Sequence, residues 1–96
     1  MPGADLTGAD LTEANLFRTN LAGATLRSAV LTKSIPMLTN LTGADLSGVN
    51  LIEAYMEDAN LQDANLTGAD LTKAYLEATD LTGANLTQAN FTGAFL

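Results

Sequence analysis

Ninety-six residues with 11 acids against 4 bases give a net charge of −7, and His, Cys and Trp are all absent. These counts remove the usual proton shuttle, the thiol nucleophile, the disulfide framework and the common zinc ligands, and they disfavour direct binding to nucleic acid or anionic lipid, which need clustered Lys and Arg. No stretch reaches the ~18 apolar residues of a membrane span, and Met1-Pro2-Gly3-Ala4-Asp5 has neither the basic nor the apolar part of a signal peptide, so a cytoplasmic location is expected.

The length predicts one domain, residues 1–96, and a repeat fills it. From Ala4 onward every fifth residue restarts the pattern Ala, Asp or Asn, Leu, Thr, Gly. The central position runs from Leu6, Leu11 and Leu16 to Leu96 in 19 steps and departs from Leu only at Pro36, Met56 and Phe91. Two residues earlier stands Ala in 14 of the 19 repeats, replaced by Thr19, Ser34, Thr39, Val49 and Thr79; Asp or Asn occupies 13 of the 19 positions between. A period of five spreads leucines around an α-helix, and on a continuous strand it alternates them between faces. It works if the chain runs straight for about three residues and then turns, so that Ala and Leu point inward while the Asx and the two corner residues point outward.

The departures from consensus give the number of corners. At a spacing of 20 the outward Asx position of one face reads Asn15, Ile35, Tyr55, Tyr75, Phe95, and a corner position reads Glu13, Lys33, Glu53, Lys73, a ladder of alternating charge. A spacing of 15 mixes these sets, leading from Glu13 to Ser28, Gly43 and Asp58. The sequence therefore predicts an all-β, four-sided parallel β-helix of about 4.75 coils, ~23 Å long, with right-handed winding favoured by the crossover rule. Leu6, Leu26, Leu46, Leu66 and Leu86 should stack in one inward column.

Ala4-Asp5-Leu6-Thr7-Gly8, Ala44-Asp45-Leu46-Ser47-Gly48 and Ala64-Asn65-Leu66-Thr67-Gly68 resemble the pentapeptide repeat family over residues 4–96. The resemblance implies a right-handed quadrilateral β-helix with Leu and Ala inside, common in cyanobacteria and other bacteria and mostly without an assigned activity. It also implies one specific alternative, since a characterised branch binds type II topoisomerases by imitating DNA.

In chain order, the first marked departure is Phe17, which with Met37 and Leu38 adjoins the apolar column Ile35, Tyr55, Tyr75, Phe95 and makes that side a candidate interaction strip. Ser34-Ile35-Pro36-Met37-Leu38 departs furthest from consensus, and Pro36 removes a ladder donor, so a bulge or a looser coil is expected there. The chain closes on Phe91, Phe95 and Leu96, a bulkier and more aromatic layer that is a candidate end-to-end interface. Thirteen threonines without a single His cannot form a Ser/His/Asp-type site, and the glycines fit no phosphate-loop motif. Carboxylates on a convex surface lack the unequal environments that acid-base catalysis needs. No catalytic, cofactor-binding or metal-binding residue is assigned, and no cofactor is expected.

A non-enzymatic structural or protein-interaction module is thus the leading reading, with self-association through a coil end, C-terminal favoured, and an unidentified protein partner. The alternative, an acidic DNA mimic acting on gyrase, is weaker on charge: ~23 Å of B-DNA carries roughly 13 negative charges. Here the acids scatter over four faces, with Asp5 and Asp45 on the first, Asp10, Glu13, Glu53 and Asp70 on the second, Glu57, Asp58 and Glu77 on the third, and Asp63 and Asp80 on the fourth. Lys33 and Lys73 cancel part of the second face's field.

Overall fold

The computed structural model describes residues 1–96 throughout. Its backbone is a right-handed quadrilateral β-helix in which each five-residue unit supplies one bridging residue and one corner. Bridges are parallel and join residues 20 apart, as in Asp5↔Thr25, Thr25↔Asp45, Asp45↔Asn65 and Asn65↔Asn85 on the first face. That register stacks Leu6, Leu26, Leu46, Leu66 and Leu86, as the departures from consensus predict. Successive coils are laced from both sides: the Leu26 amide donates to the Asp45 carbonyl at 2.7 Å, and the Asp45 amide donates to the Ala24 carbonyl at 2.9 Å.

Corners follow one rule. The amide three residues past each corner's start closes a four-residue turn, for example Ala9 N–H donating to the Leu6 carbonyl at 3.0 Å. The second central residue has a positive φ at all 19 corners, eight of them Gly and 11 not, with Glu13 at 60° and Gly8 at 69° as typical values. Positive φ at that residue alone is the type II turn. None of the 11 non-Gly residues is β-branched, because a branched Cβ crowds most severely in the left-handed region. Thr is instead placed at the first central position, as at Thr7, Thr42 and Thr67.

The Asx residues hold these turns. At all 13 Asx positions the side-chain Oδ1 accepts the amide two residues on, such as Thr7 N–H to Asp5 at 3.1 Å and Thr67 N–H to Asn65 at 3.0 Å. Where Thr or Ser follows, its hydroxyl usually reaches the same oxygen, as Thr67 Oγ1 does at 2.6 Å. These are Asx turns, which satisfy an amide that the ladder does not use.

Inside, 21 apolar residues form one column-built core from Leu16 to Leu76, with Leu21, Leu26, Leu46, Met56 and Leu66 fully enclosed. Leu6, Leu11, Leu81 and Phe91 are only partly covered, because they lie in the outer layers. The molecule measures 30 × 25 × 23 Å, nearly as wide as it is long.

Pro36 does not produce the expected bulge. Its ring is fully buried in the Leu column, and the coil keeps phase, with Tyr55 N–H donating to the Ser34 carbonyl at 3.0 Å. Proline omits the bond to the Tyr55 carbonyl that its position otherwise makes, and the Ile35↔Tyr55 bridge is missing. Loosening is confined to neighbouring bonds: Leu16 N–H to Ile35 and Leu38 N–H to Glu57 lengthen to 3.1 and 3.2 Å. A five-residue unit tolerates proline here because its buried ring occupies the inward position and only one donor is lost.

Candidate functional site

The third face, built on Leu16, Pro36, Met56, Leu76 and Leu96, carries the apolar strip. Tyr55, Tyr75 and Phe95 replace Asx at the outward position, and the 20-residue register stacks their rings at 4.8 Å, with interplanar angles of 2° and 9°. Ile35 lies half-buried one layer below. Beside the column stand Phe17 at 48% exposure, Leu38 at 42% and a half-buried Met37, while Tyr55 and Phe95 are 40% and 48% exposed. The Arg18 guanidinium lies 5.3 Å from the Phe17 ring centroid, a cation–π contact at the lower edge. The strip residues named from sequence are thus brought onto one side of the solenoid.

Replacing Asx by an aromatic ring has a backbone consequence that sequence reading missed. The Phe17 amide is capped by Asn15 at 3.0 Å, but the amides of Met37, Glu57 and Glu77 on the same face have no acceptor in the chain. Alongside them run Glu57, Asp58 and Glu77, none of which forms an ion pair, and Glu57 Oε2 is buried with no hydrogen-bond donor. The signal was available: wherever the second position of the repeat is not Asx, the following corner loses its cap, as also at Arg27 after Thr25 and Thr32 after Val30.

The alternating ladder Glu13, Lys33, Glu53, Lys73 lies in register but contains no ion pair within 4.0 Å; the one ion pair joins Arg27 to Asp45 on the first face. Five of the acids, Asp5, Asp10, Asp45, Asp70 and Asp80, are engaged in capping their own corners. Donation from the Thr7 and Thr12 hydroxyls and amides holds Asp5 and Asp10 below the usual carboxylate range, and the Arg27 guanidinium does the same for Asp45. The surface has no cleft, and no cluster of carboxylates is gathered closely enough to hold a metal ion. No helix is long and apolar enough to cross a membrane.

At the upper edge, Phe91 packs partly on the core above Leu71, while Phe95 and Leu96 are exposed. The amides of Leu81, Leu86, Phe91 and Leu96 have no acceptor in that outer layer.

A family model described as pentapeptide repeats matches in eight copies, over residues 3–34, 39–77 and 69–96. A search of curated proteins finds no match. Among solved structures, the chain is similar to a pentapeptide repeat protein from Nostoc PCC 7120, with 35% identity over 83% of this chain and 62% of that one and a TM-score of 0.70. It is also similar to a pentapeptide repeat protein from the Arabidopsis thaliana thylakoid lumen, with 34% identity over 98% of this chain and 69% of that one and a TM-score of 0.56. QnrB1, a plasmid-mediated fluoroquinolone resistance protein, shares the fold at 21% identity, with 91% of this chain and 58% of that one covered and a TM-score of 0.54. The chain therefore spans less than two thirds of the Nostoc protein's length.

Proposed function

The chain belongs to the pentapeptide repeat family, and from that premise we propose that residues 1–96 form one repeat domain that acts without turnover, by presenting its surface to other proteins in the cytoplasm. The observation that carries this reading is the third face, where three stacked rings stand in place of Asx and three corner amides in a row go uncapped, whereas most other corners carry their own Asx cap. Phe17, Ile35, Met37, Tyr55, Tyr75 and Phe95 are assigned to that interaction strip.

The outer layer at Phe91, Phe95 and Leu96 is assigned to self-association of the 96-residue chain. Unpaired strand groups around a partly covered apolar layer favour pairing with a like surface. Light scattering coupled to size exclusion at micromolar concentration tests this: a dimer is expected, shifted toward monomer by Phe91→Asp, whereas a monomer at every concentration refutes it.

The gyrase-directed alternative ranks second because five of the 11 carboxylates already cap the chain's own corners and the rest are scattered. A supercoiling assay with purified gyrase should show no inhibition at submicromolar protein. Inhibition that disappears on Asp70→Asn with Asp80→Asn would reverse the ranking.

A further inference from the structure

We propose that the third face docks a polypeptide segment carrying apolar and cationic side chains, a reading that rests on the interaction strip above and names the chemistry of its partner. Three observations converge on one side of the solenoid. The exposed rings of Phe17, Tyr55 and Phe95, with Leu38, form an apolar surface in a chain whose other outward positions are mostly Asx and Thr. Glu57 and Glu77 occupy the same corner column one coil apart, Asp58 adjoins them, and no cation of the chain pairs with any of the three. The amides of Met37, Glu57 and Glu77 have no acceptor in the chain.

Each feature selects a property of the occupant. Apolar area calls for apolar side chains. Like-charged carboxylates stacked in register with no cation of the chain paired to them call for Lys or Arg. Amides left without Asx caps call for carbonyl acceptors, which a peptide backbone carries and a small polyamine does not. A second copy seated on this face fits poorly, because each copy carries a net charge of −7 and would bring further carboxylates to the same place.

The chain supplies its own probe: it has two tyrosines and no Trp, and both tyrosines stand on this strip, so intrinsic tyrosine emission reports on this face alone. Titration of the full chain with a short peptide alternating Lys and Leu should give a saturable change in that emission, weakened by added salt. Peptides alternating Glu with Leu, or Lys with Ser, should bind weaker by about tenfold or more. Glu57→Gln with Glu77→Gln should weaken the Lys–Leu peptide by about tenfold and flatten the salt dependence. Glu13→Gln with Asp63→Asn removes the same charge elsewhere and should leave binding unchanged. Circular dichroism and thermal unfolding of both double variants establish that the solenoid is intact.

If the Glu–Leu peptide binds as well, or both double variants weaken binding equally, the strip is an interaction face but its partner is not selected by charge at this corner, and the proposal falls alone. If no peptide binds while Tyr75→Ser costs stability, the column serves only to hold coils together, and the interaction reading of this face falls with it.

Discussion

The hydroxyl of Thr39 donates to the carbonyl of Leu16 at 2.6 Å, reaching from the buried small-residue position of one coil to the corner of the coil below. Thr79 repeats the contact with Met56 at 2.7 Å. Ser34, in the same kind of position, has a buried Oγ with no partner.

The contrast gives opposite expectations for two conservative substitutions. Thr39→Val keeps the shape and removes the bond, which should lower stability by about 1 kcal/mol. Ser34→Ala removes a buried hydroxyl that bonds nothing and should raise stability by a comparable ~1 kcal/mol. Urea unfolding followed by circular dichroism distinguishes the signs.

Corner substitutions should follow the φ rule. Ala78, exposed with φ at 59°, bears the left-handed strain that Gly avoids, so Ala78→Gly should stabilise by up to about 1 kcal/mol. Gly43→Ala should cost a similar ~1 kcal/mol, since open space surrounds the new Cβ and only strain is added. Gly83→Ala should cost about as much as Gly43→Ala, because the group its Cβ meets is the exposed Asp63 carboxylate one coil below, which can swing aside. Thermal midpoints should place Ala78→Gly above wild type, and Gly43→Ala and Gly83→Ala below it.

Tyr75 is stacked on both faces and Tyr55 on one. At roughly 0.5–1.5 kcal/mol for each aromatic pair, Tyr75→Ser should destabilise more than Tyr55→Ser. Equal losses in chemical denaturation would mean that side-chain area, and not stacking, supports the column.

Acid should weaken the fold. Asp5 and Asp10, held down by Thr7 and Thr12, and Asp45, held down first by Arg27, have folded values below the unfolded value of about 4. A depressed folded pKa contributes stability above the unfolded value and loses it as pH falls through the folded one. Urea midpoints should therefore lose this contribution as pH drops below about 4, and Asp45→Asn should make that loss shallower.

Most of the fold was legible because one period controls everything: the spacing of 20 is forced by where Tyr55, Tyr75 and Phe95 fall, and it fixes which leucines stack. The outward strip was legible for the same reason. What escaped was local chemistry. The series Thr19, Thr39, Thr79 reads as mere small substitution, although Thr39 and Thr79 bond across coils. Pro36 reads as a disruption, yet it removes only its own donor, and the other inter-coil bonds of its unit, from Ile35 to Ala14 and from Leu38 to Glu57, stay in place. Glu13, Lys33, Glu53 and Lys73 read as a charge ladder, but their in-register stacking produces no ion pair, whereas Arg27 reaches Asp45 in the adjacent coil.

The ring column has a bearing on how the chain avoids winding wrongly. A coil laid down five residues out of phase would still set Leu on Leu and Ala beside Ala, so the core alone discriminates poorly between registers. Such a slip would bring Tyr75 over Asn50 or Asn60 and forfeit its stack on Tyr55. The residues that violate the consensus are therefore the ones that tell the repeats apart, and removing them should produce misregistered coils on refolding before it produces an unfolded protein.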